Sequence, residues 1–255
     1  MDYANVYPIF HYLLQDKNLA FLKGFPSELN KAMREGDIDI SPSSSIEFAR
    51  NHNLYKAASN VCVSSAGAVK SVNIFSSCNI GDLDGKKIYW TKESNTSTVL
   101  CRIILEIFYN IKPIYTNNPD ESEARLLIGD KALYEYYNSR DNVIDLGEEW
   151  YKFTGLPFVF ALWIINRGAL EHEYFNVFLE NLYKYASLFP KDLAALAPRY
   201  IERGYTLEQL DDYWKTIVYS VSDNHKRGLS LFYKYAFELG ETGDNGADFI
   251  DGAFI

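Results

Sequence analysis

Cysteine is scarce in this 255-residue chain, present only as Cys62, Cys78 and Cys101. An odd number at these spacings fits neither a disulfide framework nor a metal pattern. The three read as reduced thiols serving as small core residues, which favours the cytoplasm. Histidine is equally thin: His11, His52, His172 and His225 are scattered, and metal sites need clusters, so each reads as a surface or packing residue. Positive charge is in deficit, with 25 Lys and Arg against 34 Asp and Glu and a net charge of −9. That excludes nucleic acid and anionic membrane as general partners. It does not exclude a small anion, which backbone N–H groups hold without a basic surface. No apolar run reaches the ~18 residues needed to span a membrane. The start, Met1-Asp2-Tyr3-Ala4-Asn5, lacks the basic-then-apolar order of a secretory signal. A Gly-x-Ser-x-Gly nucleophile elbow, a phosphate loop, a dinucleotide glycine pattern and internal repeats are likewise missing.

What is present is apolar bulk. Hydrophobic residues make up 47% and aromatics 16%, including 20 Tyr and 16 Phe, so a sizeable core is expected. Short strands alternate with helices. Residues 26–36 read as a helix, with Leu29 and Met33 four apart on one face, and residues 37–40 as a short strand. Residues 41–45 read as a turn into a helix at Ile46. Strands are expected at 70–76, 86–91, 125–128, 142–146 and 158–165, the last buried on both faces by its composition. A helix after Ser94-Asn95-Thr96-Ser97 carries Val99, Leu100, Ile103, Ile104 and Ile107 on one stripe. After Gly168 the chain reads as helices at 171–188, 191–203, 207–221 and 225–239, followed by a loose glycine-containing tail. This pattern predicts an α/β fold with mixed, mainly parallel sheets. The strands at 71–76 and 158–165 are expected to run side by side as crossings between two lobes. One lobe then comprises 1–74 with 166–255, and the other is the insert 75–165.

Hydroxyl and amide residues collect where strands end or helices begin: Asn5, Ser43, Ser44, Ser71, Thr96 and Ser97. Ligand sites of open α/β sheets lie at the carboxyl ends of strands, and helix N-termini offer free N–H donors. Two such starts in opposite lobes suit a dicarboxylate clamp. Ser43 and Ser94 also read as simple N-caps, and Asp130, after Gly129, as a turn or cap residue.

Six segments in order carry a resemblance. They are Asp2-Tyr3-Ala4-Asn5-Val6-Tyr7-Pro8, Asp39-Ile40-Ser41-Pro42-Ser43-Ser44, Gly67-Ala68-Val69-Lys70-Ser71-Val72, Ser94-Asn95-Thr96-Ser97, Leu126-Leu127-Ile128-Gly129-Asp130-Lys131-Ala132-Leu133 and Thr154-Gly155-Leu156-Pro157-Phe158-Val159-Phe160-Ala161. Together they resemble the chorismate dehydratase family of the futalosine route to menaquinone, from Asp2 to about Phe232. The resemblance implies a two-lobed, type-II periplasmic-binding-protein-like fold used as a cytoplasmic enzyme, with the substrate in a cleft between the lobes. It implies conversion of chorismate to 3-[(1-carboxyvinyl)oxy]benzoate and water without metal or organic cofactor. It places Asn5 and Ser71 at the reacting centre, with the substrate's enolpyruvyl carboxylate as base. Ser43, Ser44, Gly67, Thr96, Ser97 and Asp130 are the expected substrate-binding residues. None of the six segments contains His or Glu, and neutral Ser and Asn are poor bases but good orienting groups. Relatives usually carry a short strand before the first motif, so either the start is shortened or residues 1–5 form a reduced strand. A His-dependent sister enzyme, 1,4-dihydroxy-6-naphthoate synthase, and a non-catalytic solute-binding protein are the competing readings.

Overall fold

The computed structural model describes residues 3–24, 26–90, 95–189, 193–243, 245, 249–250 and 252–255. Asp2, Ser94 with its cap, the end of the expected strand 86–91 and the start of the expected helix 191–203 lie outside them. Among the described residues two sheets form, one antiparallel and one mixed, each around a strand buried on both faces.

The first sheet has the order β1-β8-β2, with β1 at Ile40–Ser44, β2 at Tyr55–Ser65 and β8 at Phe158–Asn166. The apolar run of β8 is buried almost throughout, as its composition requires, and β1 and β2 flank it antiparallel. The second sheet has the order β5-β4-β6-β3-β7 and takes every strand from residues 72–145: β3 at Val72–Ser76, β4 at Lys87–Trp90, β5 at Ile114–Thr116, β6 at Ala124–Ile128 and β7 at Asn142–Asp145. Alternation along β3 sends Ile74 into the main core and Phe75 to a small cluster with Leu127 and Ala132 on the opposite face.

Several expectations change. The crossings do not run side by side: β3 pairs with β6 and β7, whereas β8 pairs with β1 and β2. The chain leaves the first sheet after Ser65 and returns at Phe158, so boundaries at 74/75 and 165/166 cut β3 and misassign β8. The physical reason is β2, whose Ser59, Asn60, Ser64 and Ser65 hide an eleven-residue strand. Between the described strands, pairing is parallel on the two sides of β4 and antiparallel elsewhere, so the second sheet is mixed, the first is antiparallel, and neither is mainly parallel. The turn expected at 41–45 is mostly strand: Pro42 sits in β1 at the sheet edge, where its missing N–H breaks no ladder.

Helices cover the sheets. α1 is Tyr7–Leu13, α2 Pro26–Glu35, α3 Ser45–Arg50 and α4 Asn95–Arg102, the last continued by a π-helical segment, Ile103–Phe108. α5 is Gly129–Asn138, α6 Leu146–Thr154, α7 Phe175–Leu188, α8 Leu193–Leu196, α9 Pro198–Ile201, α10 Leu207–Trp214 and α11 Asp223–Glu238. Ala4–Val6 form a turn into α1, so no strand appears in residues 3–6. The helix expected over 207–221 stops at Trp214 because Val218 and Tyr219 exchange backbone hydrogen bonds with β2. The tail is not loose: Ala57 N–H bonds to Ala253 O, Ser59 N–H bonds to Ile255 O, and Ile250 and Ala253 are buried. A cavity of about 520 Å³ runs beside the free edge of β1, between residues 18–22 and 37–42, over Phe10, Trp163 and Phe178. None of the expected site residues lines it.

The crossing from β2 to β3 is fixed by one carboxylate. Asp145 caps α6 through Gly147 N–H and Glu148 N–H at 2.9 and 3.1 Å, and also accepts from Val69 N–H at 2.9 Å and Lys70 N–H at 2.6 Å. Burial pushes its pKa above the usual carboxylate value, and these four donors offset only part of that rise. Asp145→Ala would strand four N–H groups in a buried site, and an unsatisfied buried donor costs about 1–3 kcal/mol. The variant should lose at least about 3 kcal/mol in urea denaturation, or fail to fold; a loss below about 0.5 kcal/mol would show that the crossing is held by other contacts.

Candidate functional site

Two junctions bring the expected site residues together. At the first, α3 and α4 meet start to start. Thr96 Oγ1 accepts from Ile46 N–H at 3.0 Å, so a residue of the inserted lobe satisfies a first-turn donor of α3. Ser43 and Ser44 immediately precede α3. Ser44 is half-buried and makes no side-chain cap, while Ser43 is 1% exposed with its Oγ lacking a partner in the chain. Ser97 is buried beside Thr96. Ser45 is the serine used structurally: its hydroxyl donates to Val159 O at 2.5 Å, and its carbonyl accepts from Tyr233 OH. Nearby, Glu241 joins the lobes, pairing through one oxygen with Arg50 of α3 at 2.7 Å and through the other with Arg102 of α4 at 2.5 Å.

The second junction holds Asn5 and Ser71. Ser71 is 2% exposed and follows Lys70, which takes a left-handed backbone, φ 63°. That conformation costs a non-glycine residue about 1–3 kcal/mol, and the Asp145 bonds to Val69 and Lys70 hold it. Ser71 O accepts from Gly129 N–H at 2.8 Å, and Ser71 Oγ accepts from Tyr213 OH at 3.1 Å. Across from it, Trp214 Nε1–H donates to Ala4 O and Tyr219 OH to Asn5 O, both at 2.8 Å. Asn5 Oδ1 and Ser43 Oγ, like Asn73 Oδ1 and the indole nitrogens of Trp150 and Trp163, are buried without a hydrogen-bond partner among the described residues.

Gly129 belongs here because it has φ +63° and because a Cβ would stand 2.9 Å from the Tyr3 ring. Its neighbour Asp130 turns inward on the chain. Asp130 accepts from Ala4 N–H at 2.9 Å and pairs with Arg203 at 3.2 Å, which makes it a holder of the Asn5 turn. Gly67, φ +118°, lies on the crossing, and the space where its Cβ would stand is open. Lys70 Nζ pairs with Asp212 at 2.6 Å. Burial raises the Asp212 pKa, but hydrogen bonds from Lys70 and Tyr137 outweigh it and hold the carboxyl below its usual range.

The histidines are engaged elsewhere. His11 meets Tyr7 OH, His52 stacks on Phe249 and His172 accepts from Tyr174 N–H. His225 Nδ1 accepts from Ser222 N–H, and burial lowers its pKa. The residues sequence reasoning missed are Tyr213, Trp214, Tyr219 and Asp145. Their pattern does not differ from that of core aromatics or an ordinary N-cap.

Two α/β lobes, linked by the crossings from β2 to β3 and from β7 through α6 to β8 and meeting at helix starts, define a periplasmic-binding-protein-like fold. A protein of Archaeoglobus fulgidus shares it with a TM-score of 0.76 at 18% identity, over 93% of this chain and 94% of that one. So does a Candida albicans gene product described as having the generic periplasmic binding protein fold, with a TM-score of 0.66 at 12% identity, over 100% and 94%. These likenesses concern the fold. The family model described as menaquinone biosynthesis matches residues 1–238, and the chain belongs to that family. Two similar proteins are named chorismate dehydratase. One, from Campylobacter jejuni, is 26% identical over 249 residues, 92% of this chain and 94% of its own. The other, from Thermus thermophilus, is 29% identical over 187 residues, 65% and 68% respectively.

The seam between α3 and α4 makes its own prediction. Thr96→Val keeps the shape of the side chain but leaves Ile46 N–H without its acceptor, which should cost about 1–3 kcal/mol. Chemical denaturation should show the loss; unchanged stability would mean that Ile46 N–H is satisfied another way.

Proposed function

We propose that this chain is a chorismate dehydratase, a hydro-lyase that converts chorismate to 3-[(1-carboxyvinyl)oxy]benzoate and water on the cytoplasmic futalosine route to menaquinone. The observation that carries the reading is that one short segment bonds both to Ser71 and to the turn that bears Asn5. Tyr213, Trp214 and Tyr219, within one seven-residue stretch, bond to Ser71 and to the Ala4–Asn5 backbone, and Asn5 Oδ1 is buried and unpartnered. The names of the relatives and the family match support the same substrate.

The chemistry suits these groups. The ring C–H bond at the carbon bearing the ether oxygen breaks, and its electron pair becomes the third ring double bond. The neighbouring C–O bond breaks, and proton and hydroxide leave as water. The elimination is redox-neutral and draws on no cofactor, and aromatisation supplies a large downhill drive. The enolpyruvyl carboxylate takes the proton. Ser71 and Asn5 orient that carboxylate and hydrogen-bond the leaving hydroxyl. The α3 and α4 starts, with Ser43, Ser44, Thr96 and Ser97, receive the substrate's carboxylates. Gly67 leaves room for the backbone to approach, and Asp130 acts by holding Asn5. Closure of the lobes excludes water and strengthens each of these hydrogen bonds.

Single-turnover dehydration of chorismate tests this. Ser71→Ala should lower the rate by about 10²- to 10³-fold, with binding within a few-fold, since a donor aimed at the transition state acts mainly there. Replacing any one histidine by alanine should leave the rate within a few-fold. Binding without turnover would favour a solute-binding role, and a thousandfold loss on removing one histidine would revive the naphthoate-synthase alternative.

A further inference from the structure

The hydroxyl of Ser71 is not left to rotate freely. It faces Tyr213 OH at 3.1 Å, both side chains are at most 2% exposed, and neither oxygen has another partner among the described residues. Tyr213 is itself held: its carbonyl accepts from Thr216 N–H and Oγ1–H, and α10 begins with a capping box between Thr206 and Gln209. Burial raises the phenol pKa above the usual tyrosine value, so the group stays a donor at any working pH. A serine oxygen has one proton and two lone pairs. Once Tyr213 occupies a lone pair, the serine's own proton must point elsewhere. We propose that Tyr213 is a positioning residue for the elimination: its phenol donates to Ser71 Oγ and so directs the Ser71 proton at the bound substrate. This rests on the dehydratase reading above and adds to it the source of the serine's orientation.

Two measurements on the intact protein test it. Tyr213→Phe keeps the ring and removes only the oxygen. It should lower kcat with chorismate about 10- to 100-fold and leave KM within about threefold, with little change in thermal midpoint. The double variant Tyr213→Phe/Ser71→Ala should be no slower than Ser71→Ala alone, because the phenol acts only through the serine. Losses that multiply, or a Tyr213→Phe enzyme within twofold of the parent, would overturn the proposal. The second measurement needs no turnover. With tyrosines carrying ¹³C at Cζ, the Tyr213 resonance, assigned by its loss in Tyr213→Phe, should move in Ser71→Ala; an unmoved resonance also overturns it. A parent protein that leaves chorismate intact would contradict the dehydratase reading instead, and the resonance would still decide whether Tyr213 bonds to Ser71.

Discussion

The Asp145 carboxylate accepts N–H groups from two stretches of chain far apart in sequence, Val69–Lys70 on one side and Gly147–Glu148 on the other. A buried carboxylate is tolerable only when so many donors surround it. The same bonds hold Lys70 in its left-handed conformation, and that conformation sets where Ser71 leaves the crossing and enters β3. Hydrogen bonds from Ser65 Oγ–H to Gly67 O and from Asn73 Nδ2–H to Lys70 O brace the same crossing, and Ser71 leaves it facing Tyr213 and Gly129. The site therefore depends on a helix cap that also binds the crossing opposite it.

Asn5 is placed by a different device. Its turn is held by backbone bonds to Trp214, Tyr219 and Asp130, so the asparagine side chain need not hold itself in place. That leaves Asn5 Oδ1, like Ser43 Oγ at the other junction, buried and without a partner among the described residues. The two junctions have complementary tasks in the proposed reaction. Helix starts suit fixed negative charge, and neutral hydroxyl and amide groups suit an elimination whose base is carried by the substrate.

Much of this was legible in the residues. The apolar run of β8 and the alternation along β3 announced two buried strands, and the hydroxyl-rich helix starts announced the α3–α4 seam. β1 was misread because Pro42 and its flanking serines have turn chemistry, which only an edge position overrides. β2 was missed because polar residues interrupt its alternation, and with it went the true partner of β8. The tail looked loose from its glycines, yet Ala253–Ile255 find the edge of β2, a long-range pairing that local pattern cannot foresee. Tyr213, Trp214 and Tyr219 stayed silent because their work is done by a hydroxyl or indole tip on a ring that otherwise reads as core.

The central claim is that Asn5, Ser71 and the two helix starts surround one molecule of chorismate. A crystal structure of Ser71→Ala soaked with chorismate tests it most directly. The account predicts the ring hydroxyl beside Asn5 and position 71, with carboxylates against the starts of α3 and α4. Chorismate bound elsewhere, for instance in the cavity beside β1 over Phe10 and Trp163, would contradict it.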